Sequence, residues 1–576
     1  MSDSLISSLD ENPTRAEAPH DGTLPILPPL ALDEATADWG ERCDVLVIGC
    51  GAAGAAAAIT AHEGGAAVMV VDRFDGGGAS AKSGGVVYAG GGTRQQLKAG
   101  YQDTPEAMFQ YLLREVGDAV SPATLRRFCD DSRGLLEWLE SIGAAFESDA
   151  PPPKTSYPKN GVYLYYSGNE SIAGFAEYAK PAPRGHRMND PGMSGKALYA
   201  VLRRKLESLA LPILMQSAVR RLIVDKTSGA VIGAEVLRFD PGSNAEQQHR
   251  KLMRRAESLH NVAPAAADRA RARALALMLA QARPQLIRAQ RGVVLATGGF
   301  IFNRALVERH APKYLQTMRL GATGCDGSGL RLGQSVGGSA ARLDKVSAWR
   351  FINPPTPWAR GMVVDAKGER FCNEQSYGAR LGVAMCEQHE GRAWLVLDAK
   401  LRRQAFKEAF FGRLWAFQSI PAIFLMLFAP RARSIEALAQ RIGAQPAALQ
   451  KTWADYNQAA SGRAVDALGK TKAMMQALTQ PPFFAFEISA HSKTFPCPAI
   501  TLGGLRVDES SGAVLDAQGA PIAGLYAAGR AAVGIASNNY VSGLSLADCL
   551  WSGRRSGRHL SAQASAQHSD ALAAVK

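Results

Sequence analysis

The stretch CDVLVIGCGAAGAAAAITAHEGGAAVMVVD, residues 43–72, decides the fold. Residues 43–48 form a short apolar run that predicts a buried strand, and residues 55–63 predict a helix. A second apolar run at residues 67–71 predicts another strand, which ends at Asp72. Strand, glycine-rich turn, helix and strand in this order indicate the first unit of a doubly wound parallel sheet that binds a dinucleotide.

The turn before the helix carries Gly49-x-Gly51-x-x-Gly54, and each glycine has a physical role. Gly49 makes the tight turn, Gly51 lets the backbone approach a pyrophosphate, and Gly54 lets the helix pack on the strand. The helix N-terminus offers N–H groups and a partial positive charge to the phosphates. Asp72 stands where a carboxylate accepts hydrogen bonds from the ribose hydroxyls.

The loop after Asp72 indicates which dinucleotide binds. Residues 73–92, RFDGGGASAKSGGVVYAGGG, form a Gly/Ser-rich loop that suits a chain running beneath the phosphates and isoalloxazine of a flavin. Further glycine-rich backbone approaches follow at ATGG (296–299), GATGCDGSGL (321–330) and GLYAAGR (524–530). The sequence therefore predicts FAD rather than NAD, enclosed by segments from both ends of the chain.

Length and composition are those of a globular protein with at least two domains, because 576 residues with 47% hydrophobic content can bury a sizeable core. Eight cysteines are scattered without a CxxC pair or a His-rich partner, so neither a metal site nor a disulfide scaffold is indicated. The N-terminus is polar and acidic and lacks the pattern of a secretion signal. We expect a cytoplasmic protein without a bound metal.

The net charge of +13 arises partly in residues 245–290, which predict two basic helices. The cationic side chains expected to be exposed there are Arg250, Lys251, Arg254, Arg255, Arg269, Arg271 and Arg273. No aromatic interleaving, zinc pattern or recognition helix accompanies them, so we expect no nucleic-acid partner. A solvated helical hairpin inserted between two strands is favoured, and a patch for an anionic membrane or a partner stays open.

The most apolar stretch, LWAFQSIPAIFLMLF at residues 414–428, is shorter than the ~20 residues of a membrane-spanning helix. Basic residues flank it on both sides, and Pro421 interrupts it. Two interpretations stay open. It forms a buried helix pair of the second domain, or it is an apolar lip in peripheral contact with the inner face of the membrane, where its flanks meet anionic head groups.

These patterns together predict an α/β fold, in which a Rossmann-like FAD-binding domain encloses an inserted α+β cap or catalytic domain. The expected division is an N-terminal arm at 1–40, the first part of the FAD-binding domain at 41–345, the cap at 346–483 and the C-terminal part at 484–576. Within the cap, a turn at Lys367 and Gly368 predicts a hairpin. The substrate is expected between the two domains.

The motifs carry a family resemblance over nearly the whole chain after residue 40. GCGAAG, GGGASAKSGG, ATGG, GERFCNE, PCPAITLGGLRVD and GLYAAGR resemble the fumarate-reductase and 3-ketosteroid-dehydrogenase superfamily, whose FAD domain is glutathione-reductase-like. YYSGNE (165–170), PAPRGHR (181–187), a tyrosine shortly after RFxNE, and YVSGLSL (540–546) resemble the 3-ketosteroid 4-dehydrogenases. The resemblance implies removal of a hydride from C5 and a proton from C4 of a saturated 3-ketosteroid, which leaves a 4-ene-3-ketosteroid.

Two departures separate this chain from other members. Soluble fumarate reductases carry a proton-donating arginine four residues beyond the glutamate of RFxNE, whereas here Gly378 stands four beyond Glu374 and Arg380 two further. The 1-dehydrogenases show a YPGAGG-like turn, whereas here Ser542 follows Tyr540 by two residues. A 3-ketosteroid 1-dehydrogenase, an enone or enoate reductase of the fumarate-reductase kind, and a non-catalytic FAD-bound protein remain as alternatives.

The chemistry implied by the resemblance needs a donor for the C3 oxygen and a base for the C4 proton. Tyr540 and the backbone N–H near Leu544 fit the donor, because they can polarise the carbonyl as the enolate forms. Tyr377 or Ser542 could take the C4 proton as part of a relay, and the choice between them stays open. The electron acceptor is not identified, and a quinone is one candidate.

The expected FAD contacts extend beyond the fingerprint. We assign Arg73 and the loop residues Ser80, Ser83, Gly84 and Gly85 to the region below the phosphates and the flavin. The remaining assignments are Val219 on the adenine side, Thr297 and Gly298 in the ATGG turn, Asp326 near the ribityl chain, and Gly529, Ser545 and Leu546 in the C-terminal segment. Arg530 stands where many relatives have glutamate, so no FAD contact is assigned to it.

Overall fold

The computed structural model describes residues 22–148 and 156–574, with side chains up to residue 562. Its strands are β1 (Leu30–Leu32), β2 (Glu41–Ile48), β3 (Val68–Val71), β4 (Val86–Tyr88), β5 (Leu164–Tyr165), β6 (Gly185–Arg187), β7 (Ile213–Leu214), β8 (Ser217–Asp225), β9 (Val231–Arg238), β10 (Arg283–Leu295), β11 (Met318–Arg319), β12 (Ala340–Ala341), β13 (Val346–Ala348), β14 (Met362–Val364), β15 (Trp394–Leu397), β16 (Arg431–Ala432), β17 (Phe483–Glu487), β18 (Pro498–Thr501), β19 (Gly504–Leu505), β20 (Ala513–Leu515) and β21 (Pro521–Ala527).

The α-helices are α1 (Ala52–Glu63), α2 (Gly78–Ala81), α3 (Arg94–Lys98), α4 (Pro105–Val116), α5 (Pro122–Ser141), α6 (Ala173–Ala176), α7 (Gly195–Ser208), α8 (Asn244–Leu259), α9 (Pro264–Gln281), α10 (Arg304–His310), α11 (Ser328–Ser335), α12 (Thr356–Ala359), α13 (Gly378–Gln388), α14 (Ala399–Phe411), α15 (Ala416–Phe428), α16 (Ile435–Ile442), α17 (Pro446–Ala460) and α18 (Leu544–Ala574).

The central sheet has nine strands, in the order β1-β8-β9-β10-β2-β3-β7, with β21 paired to β10 and β20 to β21. Strands β10, β2, β3 and β7 run parallel, and β2 ends in four fully buried residues, 45–48. A near-continuous apolar run is typical of a parallel strand that is covered on both faces. The strand-helix-strand unit predicted from residues 43–72 is confirmed, with α1 beginning three residues earlier than expected.

The C-terminal helix α18 closes the FAD-binding domain by packing against α1. A Cβ at Gly553 would lie 2.2 Å from the carbonyl oxygen of Ala53, and one at Gly557 would lie 2.6 Å from that of Ala57. The residues at the crossing are therefore small, with glycine in α18 facing alanine in α1, because the two backbones approach too closely for a larger side chain. Together with β21, which pairs with β10, this helix brings the last part of the chain onto the first.

The cap is built on a four-stranded antiparallel sheet in the order β14-β15-β17-β16, with α14, α15 and α16 packed against it and α17 packed against α16. The predicted hairpin is present as a bridge between Val364 and Arg370, and Gly368 takes a φ of +95° in the turn. Strand β17 continues to Glu487, past the expected domain boundary at 483. The division into domains stays a prediction.

The basic insertion forms a helical hairpin, α8 and α9, between the antiparallel strands β9 and β10. Two expectations are corrected. The helical part ends at Gln281, because the residues from Arg283 onward pair with β9 and β2. Arg271 is buried instead of exposed, since it contacts Asp268 and lies over the ring of Phe302.

The expected N-terminal arm is only partly described, because residues 1–21 lie outside the described residues. Residues 22–32 pack against the rest of the chain instead of forming a loose arm, whereas most of residues 33–40 are exposed. Leu24 is buried and donates its N–H to Asp326 over 3.1 Å, and β1 pairs in parallel with β8. Hydrogen bonds to the sheet edge satisfy backbone groups that a free arm would leave to water.

Residues 414–428 correspond largely to α15, which is neither fully buried nor long. Ala422, Leu425 and Met426 face the cap, while Phe424 and Leu427 are exposed. Within the described part of the chain, no helix combines the length and apolar character needed to cross a membrane.

Candidate active site

The glycine-rich turn after β2 has the geometry that a bound pyrophosphate requires. A Cβ at Gly49 would lie 2.6 Å from the carbonyl oxygen of Ala296, and one at Gly54 would lie 1.8 Å from the carbonyl oxygen of Gly49, so both positions exclude a side chain. At Gly51 the nearest atom to a Cβ would be Ser80 Oγ, 3.7 Å away. The space above Gly51 is thus open at the start of α1, where N–H groups point outward.

Asp72 lies at the end of β3 beside this turn. Its carboxylate accepts the N–H of Cys50 over 2.7 Å and that of Phe74 over 2.8 Å. Burial raises the pKa of Asp72 above its ordinary value, and these backbone donors act against the rise. The carboxyl group is therefore fixed against the fingerprint loop, in the place where a ribose would bind.

The loop from 73 to 92 is held close to the protein by its glycines. A Cβ at Gly84 would lie 2.4 Å from the ring of Tyr157, and one at Gly85, whose φ is +64°, would lie 2.5 Å from the backbone of Ser194. Ser83 donates its hydroxyl to the carbonyl of Ser80 over 2.7 Å. The loop therefore has a fixed path next to the N-terminus of α1.

The fingerprint turn, Asp72 and the loop from 73 to 92 form one side of the predicted FAD site, which we call the cradle. The ATGG turn and the loop before α11 form a second side. Gly298 takes a φ of +78°, and Thr297 accepts an N–H from α11 over 3.0 Å. Asp326 forms a buried ion pair of 2.8 Å with Arg73. Burial would raise the pKa of Asp326, but Arg73 and Arg331 outweigh it and hold this pKa below its ordinary value.

The remaining predicted FAD residues lie on the elements around this cradle. Val219 is buried in β8, and Gly529, with a φ of +61°, donates its N–H to Ser552 over 2.9 Å. Ser545 and Leu546 belong to the first turn of α18. The structure thus brings these segments to one end of the central sheet, and the individual contacts stay predictions.

Arg530 is a residue that the sequence reasoning left out. Its guanidinium donates to the Sγ of Cys325 over 3.4 Å and lies 3.5 and 3.8 Å from the Cβ positions of Gly299 and Gly298. Its Nη1 is buried and has no hydrogen-bond partner in the described residues. A buried donor without an acceptor is costly, so this position suits an oxygen-rich ligand such as FAD.

The predicted catalytic residues come together in an aromatic wall. The ring of Tyr540 stacks on Trp349 at 5.2 Å, and its centroid is 6.3 Å from that of Tyr377. Phe351 packs against Tyr377 at 5.3 Å. The hydroxyl of Ser542 lies 3.1 Å from that of Tyr165, the first tyrosine of YYSGNE. Tyr165 was not assigned a role from the sequence.

The tyrosines of this cluster are protonated near neutral pH. Burial raises the pKa of Tyr377 well above its ordinary value, and an interaction with the hydroxyl of Ser542 acts against that rise. Burial also raises the pKa of Tyr540 to about 12, opposed by the N–H of Gly543 and the charge of Arg530. Each hydroxyl can therefore donate a hydrogen bond, and one that accepts a proton must pass its own proton on.

The expected backbone donor near Leu544 is placed differently. The N–H of Leu544 donates to the carbonyl of Val541 over 3.1 Å, so it is already engaged. Leu544 begins α18, and helix geometry leaves the next N–H groups, beginning with Ser545, without intrahelical acceptors. Ser545 is therefore the better candidate for a donor to a developing oxyanion.

The segment YYSGNE holds two of the predicted catalytic residues in place through hydrogen bonds. The amide oxygen of Asn169 accepts the N–H of Tyr377 over 2.6 Å, and its nitrogen donates to Glu115 over 2.9 Å. The hydroxyl of Ser167 donates to the carbonyl of Ser542 over 3.0 Å, and the N–H of Ser542 donates to the carbonyl of Ser167 over 3.2 Å. These contacts fix both Tyr377 and Ser542, which belong to segments far apart in the chain.

The charged residues of the cap motif have structural partners. Glu374 accepts the N–H of Val363 over 2.8 Å and pairs with Arg370 and Lys470 at 2.8 and 3.1 Å. Arg380, the arginine that follows the motif, pairs with Glu115 at 3.3 Å. Arg380 is thus held by a carboxylate of the protein itself, which weakens the interpretation as a dicarboxylate reductase.

The fold and this cradle define a flavoprotein. The family described as FAD binding domain matches residues 44–546, and the chain belongs to it. FAD is its cofactor, which agrees with the open space over Gly51 and the unpartnered Nη1 of Arg530.

Within this family, the chain is similar to 3-ketosteroid dehydrogenases. It is 45% identical over 513 residues to the 3-oxo-5-alpha-steroid 4-dehydrogenase of Comamonas testosteroni, covering 86% of this chain and 95% of that one. The crystal structure of 3-ketosteroid-delta4-(5alpha)-dehydrogenase from Rhodococcus jostii RHA1 with 4-androstene-3,17-dione aligns with a TM-score of 0.77 and 28% identity, over 93% of this chain and 100% of that one. The 3-ketosteroid delta1-dehydrogenase of Sterolibacterium denitrificans shares the fold, with a TM-score of 0.64 and 21% identity over 91% and 100% of the two chains.

Proposed function

We propose that this protein is an FAD-dependent 3-oxosteroid 4-dehydrogenase, which desaturates the C4–C5 bond of a saturated 3-ketosteroid. The observation that carries the proposal is the hydroxyl cluster of Tyr377, Tyr540, Ser542 and Tyr165 on an aromatic wall, in which Ser542 and Tyr165 lie 3.1 Å apart. Such a surface suits a flat apolar ring with one carbonyl. The 45% identity to a 4-dehydrogenase supports the same choice.

Desaturation removes a hydride from C5 and a proton from C4. FAD, when bound, supplies the hydride acceptor. The protein must polarise the C3 carbonyl, since the C4 proton becomes acidic only as negative charge moves onto that oxygen. In this proposal Tyr540 donates to the C3 oxygen, and the N–H of Ser545, at the start of α18, is the second donor.

The C4 proton is transferred to the hydroxyl cluster. Tyr377 or Ser542 receives it, and the group that receives it gives up its own proton to its neighbour. Tyr165 extends this relay, because its hydroxyl contacts Ser542 directly. The electrons of the C4–H bond form the C4–C5 double bond as the hydride leaves C5, and the proton passes along the hydroxyls to water.

Anaerobic reduction of the bound flavin tests the activity. Mixing the purified protein with a saturated 3-ketosteroid is expected to bleach the flavin absorbance and to yield one equivalent of the 4-ene-3-ketosteroid. Product analysis distinguishes this from a 1-ene. If no 3-ketosteroid reduces the flavin while fumarate reoxidises it quickly, the enoate-reductase alternative replaces this proposal.

Removal of the Tyr540 hydroxyl tests the mechanism. Tyr540→Phe is expected to slow turnover by about 10²- to 10³-fold, because one hydrogen bond to a developing oxyanion is lost. The loss should fall on kcat more than on steroid binding. Tyr178→Phe is the matched control, since Tyr178 is exposed. Wild-type turnover in Tyr540→Phe would remove this tyrosine from the mechanism.

We propose further that the protein acts in the cytoplasm at the inner face of the membrane, and that a quinone reoxidises the reduced flavin. The basic and apolar character of residues 400–433 supports this location. Stopped-flow reoxidation with a soluble quinone is expected to outpace reoxidation by dioxygen at equal concentration. Equal rates would leave the acceptor open to other classes.

A further inference from the structure

The most concentrated apolar surface of the protein lies on the cap. Of the twelve exposed large hydrophobic side chains in the described residues, seven fall between 410 and 428. Five of them belong to α15, namely Phe417, Ile420, Phe424, Leu427 and Phe428, and we call these five the apolar face. Their exposed fractions lie between 53% and 74%. Isolated exposed hydrophobic residues are common, but a contiguous group marks an interaction site.

The spacing of the apolar face follows one side of a helix that lies along the surface. Steps of three and four residues connect Phe417, Ile420, Phe424 and Leu427, so these side chains point in one direction. The opposite side of α15 is anchored in the cap through Ala422 and other buried residues. The helix therefore has one packed side and one side without a partner, and its 13 residues are too few to cross a bilayer.

Charge identifies the kind of partner. The exposed cations in the segments that flank α15 in sequence are Lys400, Arg403, Lys407, Arg413, Arg431 and Arg433, and we call them the basic rim. Residues 399–435 contain one carboxylate, Glu408, which is occupied by the backbone N–H and hydroxyl of Thr356. An apolar face inside a basic rim matches an anionic lipid surface. A second copy of the chain would bring two basic rims together.

The start of α15 also contacts residues next to the active site. The indole of Trp415 donates to the carbonyl of Pro158 over 3.0 Å and packs on Tyr157 at 6.1 Å. Tyr157 in turn donates to the carbonyl of Gly84, in the flavin loop, over 3.0 Å. Tyr157 and Tyr165 belong to one buried cluster, against which Trp415 packs. The N-terminal end of α15 is therefore linked to Tyr165 of the hydroxyl cluster through the packed side chains of Trp415 and Tyr157.

We propose that the apolar face docks on an anionic bilayer and that the steroid reaches the hydroxyl cluster from the lipid beside α15. The role in steroid entry rests on the proposed function, and the docking names the surface that would make the membrane contact proposed above. An apolar substrate dissolves mainly in membranes, so an enzyme seated there would receive it without passage through water.

Vesicle sedimentation tests the docking. The FAD-loaded protein is expected to bind vesicles containing phosphatidylglycerol more strongly than vesicles of phosphatidylcholine alone, and high salt should release it. Phe424→Ser combined with Phe428→Ser should weaken binding by roughly tenfold or more, because two anchors leave the lipid. Arg413→Gln with Arg431→Gln should reduce the preference for anionic vesicles. Leu97→Ser with Val465→Ser, two exposed sites elsewhere, is the matched control.

Steroid delivery tests the second part. With steroid supplied in anionic vesicles, Phe424→Ser/Phe428→Ser should raise the apparent KM, while with steroid supplied in cyclodextrin the variant should match the wild type. Equal binding to neutral and anionic vesicles would overturn the docking. Concentration-dependent dimers that the same variant abolishes, without vesicle binding, would assign the face to a second copy instead. Flavin bleaching by steroid in cyclodextrin reports on the proposed function separately.

Discussion

A side chain at Gly51 is expected to affect FAD binding by filling the space above the backbone, not by straining the backbone conformation. The residue has an ordinary negative φ of −86°, and among the described residues, apart from its two chain neighbours, no atom lies within 3.4 Å of its Cβ position. A side chain would therefore fold without strain and occupy the volume that the pyrophosphate needs.

We expect Gly51→Val to lose FAD while the protein remains folded. The ratio of absorbance at 450 nm to that at 280 nm in the purified protein measures the occupancy, and far-UV circular dichroism measures the fold. Gly134→Val is the control, because Gly134 also has open space around its Cβ position but lies in α5. Full flavin occupancy in Gly51→Val would show that the fingerprint assignment is wrong.

The hydroxyl relay predicts strong coupling between its members. Ser542→Ala and Tyr165→Phe should each slow desaturation by about 10²-fold, the lower end of the range for a group that acts in proton transfer. Because both hydroxyls belong to one path, the double variant should lose much less than the product of the single losses. Turnover of the wild type, both single variants and the double variant is measured at saturating steroid, which gives a double-mutant cycle. Tyr178→Phe is the control. Independent, multiplicative losses would separate Tyr165 from the path.

Arg530 provides a test of the cradle that does not depend on turnover. Arg530→Gln removes the charge beside Gly298, so we expect weaker FAD retention and a lower flavin reduction potential. Arg530→Lys should restore part of the potential, because it keeps the charge. Titration of the apoprotein with FAD and a redox titration measure the two effects. An unchanged potential in Arg530→Gln would place the guanidinium away from the flavin.

Sequence motifs predicted Tyr377, Tyr540 and Ser542 as catalytic residues, because each belongs to or follows a recognisable motif. Tyr165 and Ser542 are 377 residues apart in sequence, and their hydrogen bond depends on how two segments pack in space. Local pattern holds no information about such a pair. YYSGNE was noticed as a motif, but only the structure connects it with the C-terminal turn. The occupied N–H of Leu544 likewise depends on the start of a helix, which sequence places imprecisely.

The helical hairpin of α8 and α9 contacts two loops of the predicted FAD site. Glu257 in α8 accepts the N–H and the hydroxyl of Thr323 over 2.7 and 2.6 Å, and it pairs with Lys82. Asp268 in α9 pairs with Arg319 at 2.9 Å. The hairpin thus holds together the two loops that form opposite sides of the cofactor cradle.

We expect Glu257→Gln to loosen these loops. Hydrogen bonds to a charged group contribute about 1.5–3 kcal/mol each at most, so the melting temperature should fall and FAD should dissociate faster. Differential scanning fluorimetry and the rate of flavin release on dilution measure both effects. Glu177→Gln, at an exposed position, is the control. An unchanged release rate would mean that the hairpin does not hold the cradle.

Element types were predictable where one periodicity dominated, as in β2 and α1. The end of the hairpin was missed, although Pro284 disfavours a helix through Arg283 and Pro284, because the mixed charged and apolar residues of Arg283–Leu295 do not show the alternation of a strand. Its pairing with β9 on one half and with β21 on the other decides the matter, and that pairing is tertiary. The buried Arg271 has the same origin, since a charged side chain is buried only where partners are available.

At the scale of the molecule, Asp548 links stability to pH. Burial raises the pKa of Asp548 to about 6 from its ordinary value of 3.8, and its Oδ1 has no hydrogen-bond partner among the described residues. The folded state therefore binds a proton more tightly than the unfolded chain. Stability rises as the pH falls from above 6 toward 4, by about 3 kcal/mol for a shift of about two pKa units.

Asp548→Asn is expected to remove this dependence. The variant should melt at a higher temperature than the wild type at pH 8 and at nearly the same temperature at pH 4.5, because the wild-type carboxyl is then protonated in the fold. Melting curves across this range measure the difference. Asp240→Asn, at an exposed site, should follow the wild type at every pH. Parallel curves for Asp548→Asn and the wild type would show that this carboxyl does not titrate in the fold.

The crossing of α1 and α18 has a consequence for how the protein is made. The first dinucleotide-binding unit leaves the ribosome early. The segments that cover it, β21 against β10 and the part of α18 that contains Gly553 and Gly557, are synthesised several hundred residues later. During synthesis the apolar surface of α1 and one edge of β10 wait for these segments. The complete FAD site therefore requires β21 and α18, and a nascent chain that stops before β21 exposes the apolar surface that these two elements cover.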